Sequence, residues 1–215
     1  MGLAANETSM VRDEDLYRQA RGGDLQAMAK LFLTYRERLR GMIQLRMDWR
    51  LRRRVDPSDV LQEAYLDYAR RFPQYTETEG LPFYLWLRQL AAQRLVDVHR
   101  RHLGAKKRDA SMEASIWHGP FPSVSTNLLA SKMLGRMTSP SCAAQRAEDQ
   151  IRVQQVLDRL KPMDREIIAL RHFEMLSNDE IALTLSLTKT AASNRYVRAL
   201  QRLKVELDHA GIAFE

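Results

Sequence analysis

The sequence predicts an all-α protein: two small helical domains joined by a flexible linker, the C-terminal one a four-helix helix-turn-helix domain. Three observations carry this. Apolar residues recur at three- and four-residue spacing in nearly every segment outside residues 109–145. Helix-start signals stand ahead of those runs, at Asp24, Asp56, Ser177 and Thr188. No stretch shows sustained period-two alternation.

Residues up to about Val11 read as a loose tail, and a short helix follows from Asp13 to Ala20, ended by Gly22-Gly23. Asp24 caps a longer helix whose apolar positions include Leu25, Met28, Leu31, Phe32, Tyr35, Leu39, Met42 and Ile43. A basic patch, Arg46–Arg54, comes next. Asp56-Pro57-Ser58-Asp59 combines an N-cap acid, Pro at the first helical position and acid in the first turn, and starts the helix VLQEAYLDYARRF. Pro73 ends that helix, and Pro82 opens the next, Phe83 to about Leu103. Residues 109–145 lose the helical period and are rich in Ser, Thr, Pro and Gly, which predicts a linker. Within it, Leu128, Leu129, Met133 and Leu134 form a brief amphipathic turn suited to docking on a neighbour. A helix from Glu148 through Leu160 and a second, capped by Asp164, lead to the last pair.

That pair, Leu176–Leu207, is the most informative stretch. Ser177 and Glu180 make a capping box. Leu185–Thr188 is a tight turn, and Thr188 caps a long second helix. Ala192, Tyr196, Ala199, Leu200 and Leu203 are its core stripe. Lys189, Thr190, Ser193, Asn194, Arg195, Arg198 and Arg202 lie between them, and no acid appears from Thr188 to Val205. Small polar and basic residues early in such a helix suit base edges in the major groove, and later arginines suit phosphates. A solvated basic face is the plainer alternative.

Composition agrees with a polyanionic partner. The 215 residues carry a net charge of +7, with a pI near 9.7. No apolar run is long enough to span a bilayer, and the N-terminus has no secretory signature, so a cytoplasmic protein without membrane insertion is expected. The single cysteine, Cys142, allows no internal disulfide. His99 and His102 sit among cations and lack a third ligand nearby, so no metal is expected. No phosphate-cradling loop or nucleophile motif is present, no cofactor is expected, and the chain reads as not an enzyme.

Two further surfaces stand out in the first half. Asp59, Gln62, Glu63 and Asp67 make an acidic and amide-bearing helix face in a basic chain, either solvated or a dock for a protein. The helix from Phe83 carries aromatics at its entrance, Phe83 and Trp86, and cations at its exit, Arg100, Arg101, Lys106 and Lys107. Rings that stack on unpaired bases and cations that track phosphates suit single-stranded nucleic acid, although aromatics at helical spacing are more often core.

In this order the motifs resemble the extracytoplasmic-function (ECF) group of bacterial sigma factors, of the sigma-70 family, over about Asp13 to Leu207. DPSDVLQEAYLDYARRF is similar to the segment that grips the polymerase, and FYLWLRQLAAQRLVDVHRR to the segment that binds and opens the −10 element. LDRLKPMDREIIALRHFEMLSNDEIALTLSLTKTAASNRYVRALQRLK is similar to the −35-reading domain. The basic flanks of the first two motifs are similar to those of planctomycete-like versions. Ala192 and Ser193 stand where the family often has Val and Lys, and Gln93 replaces a family asparagine.

The resemblance implies a region 2-like domain over 12–108, a linker over 109–145 and a region 4-like domain over 146–209. It implies polymerase docking by Asp56, Asp59, Gln62 and Glu63. It places Tyr75, Phe83, Trp86, Arg88, Gln89, Asp97, Arg100 and Arg101 on the single-stranded −10 element, with a flipped base held by the loop Tyr75–Phe83. Duplex −35 DNA falls to the second helix of the Leu176–Leu207 pair, through Lys189, Thr190, Ser193, Asn194, Arg195, Arg198 and Arg202. Core RNA polymerase and promoter DNA are the implied partners, with an anti-sigma protein as a candidate restraint. The alternative is a dimeric helix-turn-helix regulator acting without polymerase, for which no dimerisation helix stands out.

Overall fold

A computed structural model describes residues 14–75, 81–103, 112–115, 119–135 and 143–212. Among the described residues the fold is all-α apart from one small hairpin. Helix α1 covers residues 14–21. It is followed by α2 (Leu25–Arg46), α3 (Pro57–Arg71) and α4 (Phe83–Leu103), with a short 3-10 turn at Phe72–Gln74. A hairpin of β1 (Met112–Ser115) and β2 (Gly119–Pro122) leads to α5 (Thr126–Leu134). Then come α6 (Ala143–Arg159), α7 (Pro162–His172), α8 (Asn178–Leu185) and α9 (Lys189–His209).

The start signals act as expected. The Asp24 carboxylate accepts from the Gln26 and Ala27 amides at 2.8 and 3.1 Å. Asp56 accepts from the Ser58 amide at 2.7 Å, while Asp59 accepts from the Asp56 amide at 3.2 Å, so two amides at that helix end are satisfied reciprocally. Ser177 and Glu180 close the corresponding box on α8. Ser186 ends α8 in the left-handed region, at φ 51°, and Thr188 starts α9 by accepting from the Ala191 amide.

Helices α2, α3 and α4 pack against one another. At one end lies an aromatic cluster of Tyr17, Tyr35, Tyr68, Phe72, Tyr75, Phe83 and Trp86, with many ring pairs edge-on. Arg21 ties α1 to this cluster by donating to the carbonyls of Pro73 and Tyr75. Helices α6, α7 and α8 pack around α9, which buries Ala192, Ala199, Leu203 and Leu207.

Four expectations are corrected. The segment expected to be a linker with one brief amphipathic turn contains the hairpin and α5. The strands are short, antiparallel and proline-bearing, with Ala114 opposite Pro120 and Met112 opposite Pro122. Period-two signals do not arise in so short a ribbon. The brief amphipathic turn is a full helix whose Leu129, Ala130, Met133 and Leu134 are buried, and which packs on α6. Helix α6 begins at Ala143 rather than Glu148. Helix α7 begins at Pro162, whose fixed φ suits a first turn, and Lys161 stands at the cap without a side-chain bond. The Asp164 carboxylate instead accepts from Arg202 at 2.6 Å.

The two helical groups share one continuous apolar core, to which α5 contributes Leu129, Ala130, Met133 and Leu134. The Ser125 amide donates to the Leu45 carbonyl at 2.9 Å, so α5 is also tied to the end of α2.

Candidate nucleic-acid and polymerase interfaces

Helix α9 presents an exposed, acid-free face. Its buried residues recur at Ala192, Ala199 and Leu203, which turns Lys189, Thr190, Asn194, Arg195 and Arg198 to solvent, with Ser193 half-buried. Lys189 pairs with Asp179 of α8 at 2.9 Å, an exposed pair that costs little to exchange for a phosphate. Arg202 differs. Its guanidinium is held by the buried Asp164, so it braces α9 against α7. Tyr196, on the half-buried flank, shares a hydrogen bond with His172 at 2.8 Å.

The face of α3 expected to dock a protein is open. Asp59 and Gln62 are exposed and Glu63 is half-buried. Leu66, one turn further on, is 54% exposed, so the face combines acid, amide and an unusual apolar residue. Asp56 is committed to capping, and its carboxyl is held below the usual carboxylate range by its bonds to Ser58.

The residues expected on the −10 strand divide into two sets. Arg100 and Arg101 are exposed on the last turn of α4, and Gln89 and Asp97 are half-buried. Arg101 lies 3.6 Å from Glu63, so the faces expected to bind the strand and to dock polymerase adjoin. Asp97 accepts from Arg94 at 3.4 Å, and Arg94 also pairs with the buried Asp67. The aromatics are core. Tyr75 and Phe83 are buried, and Trp86 is half-buried and stacked on Tyr75 with centroids 4.6 Å apart. The Tyr75 hydroxyl donates to the Leu81 carbonyl at 2.8 Å, bracing the two ends of the loop expected to hold a flipped base. That loop's residues 76–80 lie outside the described residues, as do Lys106 and Lys107.

Arg88 is the sharpest departure. It is 4% exposed, and its Nε donates to Glu174 at 2.6 Å. Glu174, in the turn between α7 and α8, is fully buried and also accepts from Arg46 at 2.5 and 2.9 Å. Arg46 forms a two-pronged pair with Glu166 as well, at 2.5 and 3.1 Å, and donates to the Pro122 carbonyl at 2.8 Å. Burial alone would raise the Glu174 carboxyl, but the Arg46 and Arg88 guanidiniums outweigh it and hold the group down at about 2. Two cations and two anions balance, as a buried cluster requires.

The sequence reading missed Arg46, Glu166 and Glu174. A signal was present. Arg46 continues the apolar stripe Leu39, Met42 and Ile43, and Arg88 lies one turn from the buried Tyr84 and next to Leu87 on the core side of α4. A charge at a core position announces a buried partner. Among the described residues, no group of His, Cys, Asp and Glu could hold a metal ion. His99 instead accepts from the Asp48 amide through Nε2. No helix among them is long and apolar enough to cross a membrane.

Comparison with known proteins finds relatives along most of the chain. Residues 150–203 match the model of the family "Sigma-70, region 4", a span that holds α7, α8 and most of α6 and α9. The ECF RNA polymerase sigma factor SigD of Mycobacterium tuberculosis is 30% identical over 193 residues, covering 90% of this chain and 82% of SigD. The RNA polymerase sigma-H factor of Pseudomonas aeruginosa is 26% identical over 198 residues, covering 89% and 92%. The fold is also that of CnrH, solved in complex with the cytosolic domain of CnrY, with a TM-score of 0.54 at 20% identity over 92% of this chain and 98% of CnrH. A basic chain whose acid-free helix face lies in a region 4 match, and which aligns along nine-tenths of its length with SigD, belongs to the ECF group of RNA polymerase sigma factors, which bind core polymerase and direct promoter-specific initiation.

Proposed function

We propose a division of labour in which residues 12–108 dock polymerase and open the −10 element, 109–145 connect, and 146–209 read the −35 duplex. The observation that carries the −35 assignment is the exposed, acid-free face of α9, opposite its buried Ala192–Ala199–Leu203 stripe. Lys189, Thr190, Ser193 and Asn194 stand where base edges are met, and Arg195 and Arg198 where phosphates are met. The open α3 face supports docking through Asp59, Gln62 and Glu63, with Leu66 as an apolar anchor. Arg100 and Arg101 support phosphate contact on the displaced strand. Tyr75, Phe83 and Trp86 act from within the core by supporting the loop between them. The chain acts in the cytoplasm, carries no catalytic activity of its own, and is a target for an anti-sigma protein in the way that CnrH is bound by CnrY.

Run-off transcription with purified core polymerase tests this reading. Arg195→Ala and Arg198→Ala should weaken promoter use while core binding survives. Asp59→Ala with Gln62→Ala should weaken core binding itself. Equal loss of core binding in both sets would refute the division.

A further inference from the structure

The basic turn between α2 and α3 belongs to none of the faces assigned above. Its backbone is braced. Met47 and Leu51 are 0% and 1% exposed and anchor it in the core. The Leu51 amide donates to the Asp48 carbonyl at 3.0 Å, and the Arg54 and Val55 amides donate to the Leu51 carbonyl at 2.8 and 2.9 Å. The Asp48 carboxylate accepts from the Arg50 amide at 2.9 Å and from the Arg50 guanidinium at 2.6 Å.

Between the two anchors the chain holds Trp49 outward, 72% exposed. A single exposed apolar residue is ordinary on a surface. Trp49 is distinguished by what surrounds it and by what the other rings do. Among the described side chains it is the one exposed aromatic ring, whereas Tyr75 and Phe83 are buried and Trp86 is half-buried against Tyr75. Arg50, Arg52, Arg53 and Arg54 flank it, all exposed. The two acids of the turn are already engaged, Asp48 by Arg50 and Asp56 by the α3 cap. The Asp48 amide donates to His99 Nε2 at 3.3 Å, which sets the turn against the end of α4, where Arg100, Arg101 and His102 are exposed.

We propose that this turn is a second contact for single-stranded DNA, in which Trp49 stacks on an unpaired base of the opened promoter and Arg52, Arg53 and Arg54 hold the flanking phosphates. Single strands are bound by this combination of a free ring and nearby cations, because every base offers a face to stack on. A duplex keeps those faces inside its own stack, so it would use the arginines and leave the ring without a role. The turn is a surface of its own, but delivery of the strand to it rests on the −10 assignment of Arg100 and Arg101 proposed above.

The test measures holoenzyme binding to a forked promoter, duplex upstream with a single-stranded non-template tail, and to the same promoter as a full duplex held cold so that it stays paired. Trp49→Ala should weaken binding to the fork about tenfold and leave duplex binding unchanged, and Trp49→Phe should recover most of the loss. Arg53→Ala with Arg54→Ala should lower the salt slope on the fork by about 1.4, two single-strand phosphate contacts. 2-Aminopurine moved along the non-template tail should find a position quenched by the wild type and not by Trp49→Ala. Circular dichroism and core-polymerase pull-down should match the wild type for every variant. Equal losses on fork and duplex, or loss of core binding by Trp49→Ala, overturn the proposal. Arg100→Ala with Arg101→Ala separates the two readings. If that pair weakens fork binding and Trp49→Ala does not, the −10 assignment stands and the turn falls. If Trp49→Ala weakens it and the pair does not, the turn stands and the α4 assignment falls.

Discussion

Arg202→Ala separates a bracing arginine from a DNA-reading one. Arg202 was expected on the −35 duplex, yet its guanidinium bonds the Asp164 carboxylate at 2.6 Å, and that carboxylate is 1% exposed. Removing one partner of a buried pair costs about 3–5 kcal/mol because the other charge is left without compensation. The Arg202 side chain is 49% exposed, so water can enter the vacated space and replace part of the lost bond. A cost of about 2 kcal/mol is therefore expected, in the range for a hydrogen bond to a charged group. For a chain of this size that lowers Tm by about 4–8 °C. Arg198→Ala removes an exposed side chain and should leave Tm within about 1–2 °C, a surface effect of at most about 0.5 kcal/mol. On promoter DNA with polymerase the order reverses. Arg198→Ala should lower the salt dependence of binding by about one phosphate contact, and Arg202→Ala should change it little. Differential scanning calorimetry and salt-titrated binding read the two effects. Wild-type stability for Arg202→Ala, with a full unit lost from its salt slope, would refute the bracing role.

Three other outcomes are expected. Leu129→Ala removes a fully buried side chain from α5 and should destabilise the protein by about 3 kcal/mol in thermal or urea unfolding, whereas an undocked linker would show almost no change. Ser177→Ala breaks the α8 capping box and should cost about 1 kcal/mol in the same measurement, with a smaller loss for Ser177→Asp, which keeps an acceptor. Acid should loosen the contact between the two helical groups. The Glu174 carboxyl is held at about 2, below the ordinary value of 4.5, so its contribution is present above pH 4.5 and is lost as pH falls towards 2. Arg46, Arg88 and Arg38 face it as cations, and Glu166 and Tyr84 as its acidic neighbours. Glu174→Gln should flatten the stability profile between pH 5 and 3 relative to the wild type, and parallel profiles would count against the assignment.

Local chemistry was the legible part of this chain. Asp24, Asp56 with Asp59, Ser177 with Glu180, and Thr188 each satisfy amides two or three residues away, so the information that starts these helices sits within one turn. The α9 stripe was equally plain, because a helix with few buried positions must turn the intervening residues outward. What could not be read depends on distant neighbours. The aromatic end of α4 was ambiguous because rings on one face suit a core or a stacked base equally, and Tyr17 and Tyr35, which fill the space, come from two other helices. Helix α5 was hidden by the Ser and Pro around it, since only burial against α6 gives nine residues reason to stay helical.

The arginines teach the more general point. Arg88 and Arg100 are the same residue on the same helix, twelve positions apart. In a basic chain both look like phosphate contacts, because composition reports charge and not direction. Direction comes from the helical period. Arg88 shares the buried side of α4 with Tyr84 and Leu87, while Arg100 and Arg101 fall on the last turn, where the helix runs out beyond Val98 into solvent. A cation on the core side calls for an anion, and the ion pairs of Arg88 run to Glu166 and Glu174. Both acids belong to the helix-turn-helix side, far along the chain from α4. Charge on an apolar stripe thus points to contact between the two halves of the protein, which neither half's own motif reveals.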